Sequence, residues 1–155
     1  MTSHVETSRL HHASSHDHAG VRDLTRYLVP VGRVLFALVF FVSALGHFSE
    51  RSVGYAASQG VPLPSLLVPL SGVMAIVGAL SIALGYRAKL GAWLLVLFLV
   101  PVTFMMHRFW AIPDPMAAMM QQIMFMKNLA LLGGALILTH FGGGPCSLDN
   151  RRARQ

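Results

Sequence analysis

Charge is what this chain has least of. Only 12% of its residues are Asp, Glu, Lys or Arg, against 54% hydrophobic ones. No Asp or Glu falls inside any of the four long apolar runs between Leu28 and Phe141. A water-soluble domain has no way to hide so much continuous hydrophobic helix. A bilayer does, because hydrocarbon leaves backbone groups no partner except their own helix. Cysteine is nearly missing too: Cys146 stands alone, which excludes an intrachain disulfide and any CxxC redox pair within this polypeptide. The signatures of haem, flavin and Fe–S binding are absent, so electron transfer would need a cofactor that this sequence does not encode. The polar first 27 residues lack the apolar core and cleavage site of a signal peptide. The first apolar run is therefore expected to act as an uncleaved signal anchor.

What is present reads as an all-α polytopic membrane protein, an up-down bundle of four transmembrane helices. Each crossing needs ~20 apolar residues, which leaves room for tails and short loops but no second domain. Residues 1–26 read as a disordered, His-rich cytoplasmic tail, 27–141 as the transmembrane domain and 142–155 as a basic cytoplasmic tail. Within the domain the helices are expected at about 27–48, 65–85, 90–108 and 116–141. Turn chemistry separates them: a loop with Glu50, Arg51, Gly54 and Gly60 ends in Val61-Pro-Leu-Pro64, and Gly85 suits a helix C-cap. The short Tyr86–Lys89 link forces an antiparallel hairpin. Phe109 and Trp110 belong at headgroup level, before the helix-breaking Pro113 and Pro115. Gly142 to Gly144 and Pro145 stop the last helix.

The net charge of +6 would suit nucleic acid, but the basic residues flank the apolar runs, so nucleic acid is not an expected partner. They act instead as topology signals. Arg9, Arg22, Arg26, Arg33, Arg87, Lys89, Arg151, Arg152 and Arg154 fall on one side, and Arg51 and Arg108 on the other. The positive-inside rule then puts both termini in the cytoplasm of a multi-pass protein of the cell (inner or plasma) membrane.

Several residues on the apolar segments carry information. Ser71, Ala75, Ala79 and Ala83 form a small-residue ladder that lets two backbones approach closely, either inside the bundle or between copies in a homo-oligomer. On the first segment Arg33, Ala37, Phe40, Ala44 and His47 share a helical face, and Arg33 is expected to snorkel to headgroups. On the third, Trp93, Val96, Val100, Thr103 and His107 make a similar stripe. Lys127 and Asn128 lie ~15 Å into the fourth helix. A lysine at that depth costs ~2.5–3.5 kcal/mol on the insertion scale, and no segment offers it a carboxylate. Reaching toward Glu50, staying neutral, or meeting an anionic or carbonyl-bearing ligand are its ways out. His47, Glu50, His107, Lys127 and Asn128, with Gln122 at the rim, could then surround one outward-facing ligand pocket able to donate protons to a quinone carbonyl or a small anion. The same residues could instead be interfacial anchors and a helix-to-helix hydrogen-bond network. No catalytic residue is assigned. In the tail His11, His12, His16 and His18 are weak candidates for loose metal binding, since a Ser-rich tail supplies no rigid geometry. Cys146 reads as an inert juxtamembrane thiol, with palmitoylation as the alternative.

Several strings together resemble the DoxX family of small four-helix bacterial membrane proteins: Gly32-Arg33 through Ser43-Ala44-Leu45-Gly46-His47-Phe48, Gly60-Val-Pro-Leu-Pro64, Thr103-Phe104 with His107 and Phe109-Trp110, Phe125-Met126-Lys127-Asn128-Leu129-Ala130 into Gly133-Gly134, and Ser147-Leu148-Asp149. The resemblance covers roughly residues 28–150. It implies relatedness to the membrane subunit of thiosulfate:quinone oxidoreductase and to membrane redox complexes; wider relatives include eukaryotic surfeit-locus cargo receptors. Arg33, His107, Lys127 and Asn128 match the family's recurrent polar residues. Its frequent Glu-x-x-Gly-Gly is broken here, where Ala75 takes the place of Glu ahead of Gly78-Ala79. The resemblance thus implies an accessory subunit of a membrane redox system, linked to quinone or to thiol or sulfur chemistry, with no encoded cofactor, quinone as the candidate one, and a membrane or extracytoplasmic redox protein as the candidate partner. The alternative is a non-enzymatic binding or scaffold protein holding a partner protein or a small hydrophobic ligand.

Overall fold

The computed structural model describes residues 26–152, and among these the chain is helical throughout. Four helices are long and apolar enough to cross a membrane. The first, α1, covers Arg26–Phe48, with a 3-10 last turn at Gly46–Phe48. After the short α2 (Glu50–Ser58) come α3 (Pro64–Leu84) and α4 (Ala88–Met106). A 3-10 turn at Phe109–Ala111 leads to α5 (Pro115–Phe141), and the short α6 (Leu148–Arg152) closes the described chain. At 1.5 Å per residue the 21 residues of α3 span about 31 Å, the thickness of a hydrocarbon core. Only 11–33% of each apolar window is buried by protein. Leu66, Val77, Leu97 and Ile137 are among the many large apolar residues left on the outside, as lipid-facing helices require.

The bundle closes on a core of small and large residues in alternation. Ala37, Phe40 and Ala44 of α1 meet Ala75, Ala79 and Ile82 of α3, Ala92, Leu95, Phe98 and Leu99 of α4, and Ala135 of α5. The α1 face expected from sequence is the buried one, from Arg33 through Ala44. On α4 the buried positions are Ala88, Gly91, Ala92, Leu95, Phe98, Leu99 and Thr103. Trp93 and Val100, placed on the inner stripe by sequence reasoning, are 55% and 42% exposed and point to lipid. The α3–α4 hairpin crosses tightest at two glycines. A Cβ on Gly91 would stand 2.5 Å from the Ser81 side chain, and one on Gly78 would stand 2.7 Å from Leu95. Ala75 and Ala79 of the small-residue ladder are buried beside them, and Ser71 and Ala83 are half-buried, so the ladder packs inside the bundle.

Two stretches expected to be irregular are folded. The segment after α1 forms α2 because Ser49 caps it, accepting from the Ser52 N–H at 3.3 Å, and Glu50 sits in the first turn, where the helix dipole favours a carboxylate. The C-terminal stretch is no free basic tail. Asp149 accepts from the Arg87 and Ala88 N–H groups at 2.8 and 3.0 Å, capping α4, and its own N–H bonds to Gly85 O at 2.9 Å.

Arg33 explains why that tail folds back. It is 4% exposed and does not snorkel. Its Nη1 donates to Gly143 O and its Nη2 to Cys146 O at 3.2 Å, so the guanidinium fork holds the loop after α5 against the start of α1. Gly85 is required beneath it: its φ of +64° is left-handed, and a Cβ there would collide with Arg33 Nη1 and Ser147 Cβ.

Candidate functional site

At the opposite end, the helices leave a cavity of about 1030 Å³. Its wall is mostly apolar, built from α1 (Val39, Phe40, Ser43), α3 (Leu67, Ser71, Met74) and α4 (Leu97, Phe98, Val102), among others. Phe36 of α1 rests on Gly134 of α5, so close that a Cβ on Gly134 would stand 2.9 Å from the Phe36 ring. Farther along, α1 and α5 both line the cavity through Val39 and Lys127. Exposed residues of α3 (Leu67, Leu70) and α4 (Leu97, Pro101) line it too, so the cavity is open to the outside of the bundle. Pro101 also lines it, and having no N–H it leaves the carbonyl of Leu97 without its usual helical donor.

The polar groups lie along this wall. His47, on the last turn of α1, packs its ring edge-on against Phe98 at 5.6 Å and 74°. Its Nδ1 is buried without a hydrogen-bond partner, as is Oγ1 of the fully buried Thr103. Gly72 makes room for it, since a Cβ there would lie 2.8 Å from His47 Cβ. Asn128 of α5 is 6% exposed. Lys127 beside it is exposed, with Nζ 3.5 Å from Met124 Sδ. His107 Nδ1 lies 2.7 Å from Gln121 Oε1. Gln121 Nε2 in turn donates to the Tyr55 hydroxyl at 3.3 Å, and that hydroxyl donates to Met106 O at 3.4 Å. Arg108 Nη2 donates to Gln59 O at 3.0 Å. These bonds lash α2 across the end of the cavity, where Arg51, Ser52, Tyr55 and Ala56 form its roof.

The structure thus gathers His47, His107, Lys127 and Asn128 around one space. It leaves out Glu50 and Gln122. Glu50 is exposed at the start of α2, serving that helix end, and Gln122 is exposed on another face of α5. The residue that joins the network is Gln121, seven positions before Asn128 and so on the same helical face; that spacing was available in the sequence. Tyr55 was missed because its segment was read as a loop. The tail histidines His11, His12, His16 and His18 lie outside the described residues, and among the described ones no group of His, Cys, Asp or Glu could hold a metal.

A helical bundle with a lipid-facing exterior and an open, mostly apolar cavity defines a multi-pass membrane protein with a ligand-sized space at one end. Its lineage is narrower. A model of the SURF4 family matches residues 5–154, and the chain belongs to that family. Among its relatives are two Escherichia coli inner membrane proteins. YphA is 29% identical over 80% of this chain and 89% of its own length, and YqjF is 29% identical over 78% and 88%. The surfeit locus protein 4 homolog of Schizosaccharomyces pombe is 28% identical over 81% of this chain, which spans only 38% of that longer protein. No solved structure matches the chain significantly. The DoxX resemblance is therefore corrected. Short strings such as Lys127-Asn128 and the glycine pairs are what any tight four-helix bundle with a polar pocket uses, whereas the family match runs nearly end to end. Ala75, read as a lost glutamate, is a fully buried core alanine.

Proposed function

We propose that this chain is a non-enzymatic binding protein of the cell membrane, which takes an amphiphile with an anionic or carbonyl-bearing head into this cavity. The observation that carries this reading is the cavity itself, about 1030 Å³, apolar over most of its wall with His47, His107, Lys127 and Asn128 set along it. Such a space fits a hydrophobic body, and an exposed ammonium on its wall fits a negatively polarised head. The eukaryotic relatives bear the names surfeit locus protein 4 homolog and ER-derived vesicles protein ERV29. Neither name points to redox chemistry, which favours holding a ligand over transforming one. Both termini lie in the cytoplasm on this reading, since Arg33, Arg87, Lys89, Arg151 and Arg152 share one end. The E. coli relatives named as inner membrane proteins support the cell membrane as the location.

The test is to extract the full chain with its surrounding lipid into polymer nanodiscs and compare bound small molecules with those of the bulk membrane. Wild type retains an enriched amphiphile, and Lys127→Met retains roughly tenfold less or lower still, the equivalent of one charge-assisted hydrogen bond. No enrichment in wild type refutes the reading.

A further inference from the structure

A second cavity, about 710 Å³, lies at the other end of the bundle between the start of α4 and the end of α5. Arg87 and Lys89 border it on one side and Gly142 to Gly144 on the other. Lys89 is exposed and its stem lies along Gly142, where a Cβ would stand 3.3 Å from Lys89 Cε. Gly142, at φ +73°, lets that lysine lie flat against the loop. Directly behind Gly143 is the buried Arg33 guanidinium. The one carboxylate on the wall, Asp149, already accepts the Arg87 and Ala88 amides, so those two amides are taken and the free charges at the space are those of side chains. Two cations border the space against one engaged carboxylate. Leu90 and Phe141 flank it and are 57% and 74% exposed on the lipid side.

We infer that this cavity binds the phosphate headgroup of an anionic phospholipid, with Arg87 and Lys89 on the phosphate and the acyl chains descending past Leu90 and Phe141. A free phosphate would use the two cations but not the two apolar residues. Clustered basic residues at a membrane surface attract anionic lipid at ~1 kcal/mol each, which is about fivefold in affinity per cation. The inference rests on residues that do not line the cavity at the opposite end.

The experiment is native mass spectrometry of the full chain titrated with phosphatidylglycerol and with phosphatidylcholine of the same acyl chains. Wild type retains phosphatidylglycerol preferentially. Arg87→Gln with Lys89→Gln lowers that retention about 25-fold, and Leu90→Ser with Phe141→Ser lowers it as well. Gln122→Ala, which borders neither cavity, leaves it unchanged. If the double basic variant loses its folded melting transition, Lys89→Gln alone carries the test, with a loss of about fivefold. Equal retention of the two lipids, or undiminished retention by the basic variants, overturns the inference. Displacement of phosphatidylglycerol by excess inorganic phosphate, with no effect of the Leu90 and Phe141 changes, also overturns it by showing a site for the free anion.

Discussion

Arg33 and Gly143 stand 110 residues apart in the chain and share a buried hydrogen bond, from Arg33 Nη1 to Gly143 O. With the second bond to Cys146 O it ties the beginning of the bundle to its end. Arg33→Gln leaves at least one of two carbonyls unpaired and is expected to destabilise the protein by about 3 kcal/mol, since bonds from charged donors contribute roughly 1.5–3 kcal/mol each. Arg33→Lys recovers less than half, because an ammonium lacks the planar fork that reaches both acceptors. Thermal unfolding in detergent checks both.

The crossing of α3 and α4 depends on two backbones touching. Gly91→Val forces a side chain into Ser81, 2.5 Å from where its Cβ would stand, and is expected to cost about 1–3 kcal/mol or more. Gly133→Ala is the control, as a Cβ there meets nothing within 4 Å. It should be neutral or stabilising by up to ~1 kcal/mol through helix propensity. Melting temperatures that fall equally for both would contradict the close approach.

Asp149 caps α4 across 62 and 61 residues of chain. Asp149→Ala is expected to cost about 1–2 kcal/mol and to speed hydrogen exchange at the Arg87 and Ala88 amides. Unchanged protection at those two amides would show that the C-terminal helix does not dock there.

The roof of the cavity hangs on His107, Gln121 and Tyr55. A double-mutant cycle between His107→Ala and Gln121→Ala should show a coupling of about 1 kcal/mol. Gln122→Ala, whose side chain faces away from the cavity, should show none with His107→Ala.

Apolar run length, the turn residues and the α1 face from Arg33 to His47 were all legible in the sequence, because bilayer thickness and the helical period act locally. What escaped notice depends on contacts between distant segments. Arg33 reads as a snorkelling residue until the loop after α5 arrives to occupy its guanidinium. The α4 stripe was set by following His107 back through Trp93, whereas the packed face is chosen by Gly91 meeting Gly78. In a helix apolar on every side, hydrophobicity cannot say which face turns inward; small residues can. Gln121 lay within reach of the same reasoning, through its seven-residue spacing from Asn128. The pairing of His47 with Lys127 through a shared cavity needed the three-dimensional arrangement, since depth alone leaves open which helices face one another.

The most direct test of the binding account is photocrosslinking from inside the cavity wall. Ser71→p-benzoylphenylalanine places a reactive ketone beside the space bordered by Ser43, Met74 and Asn128, and irradiation in native membranes followed by mass analysis identifies what it touches. An adduct of defined, non-protein mass that disappears with Lys127→Met is the predicted result. Adducts only to the chain's own α1 and α5 residues would contradict it, by showing that the helices close on one another and leave nothing to hold.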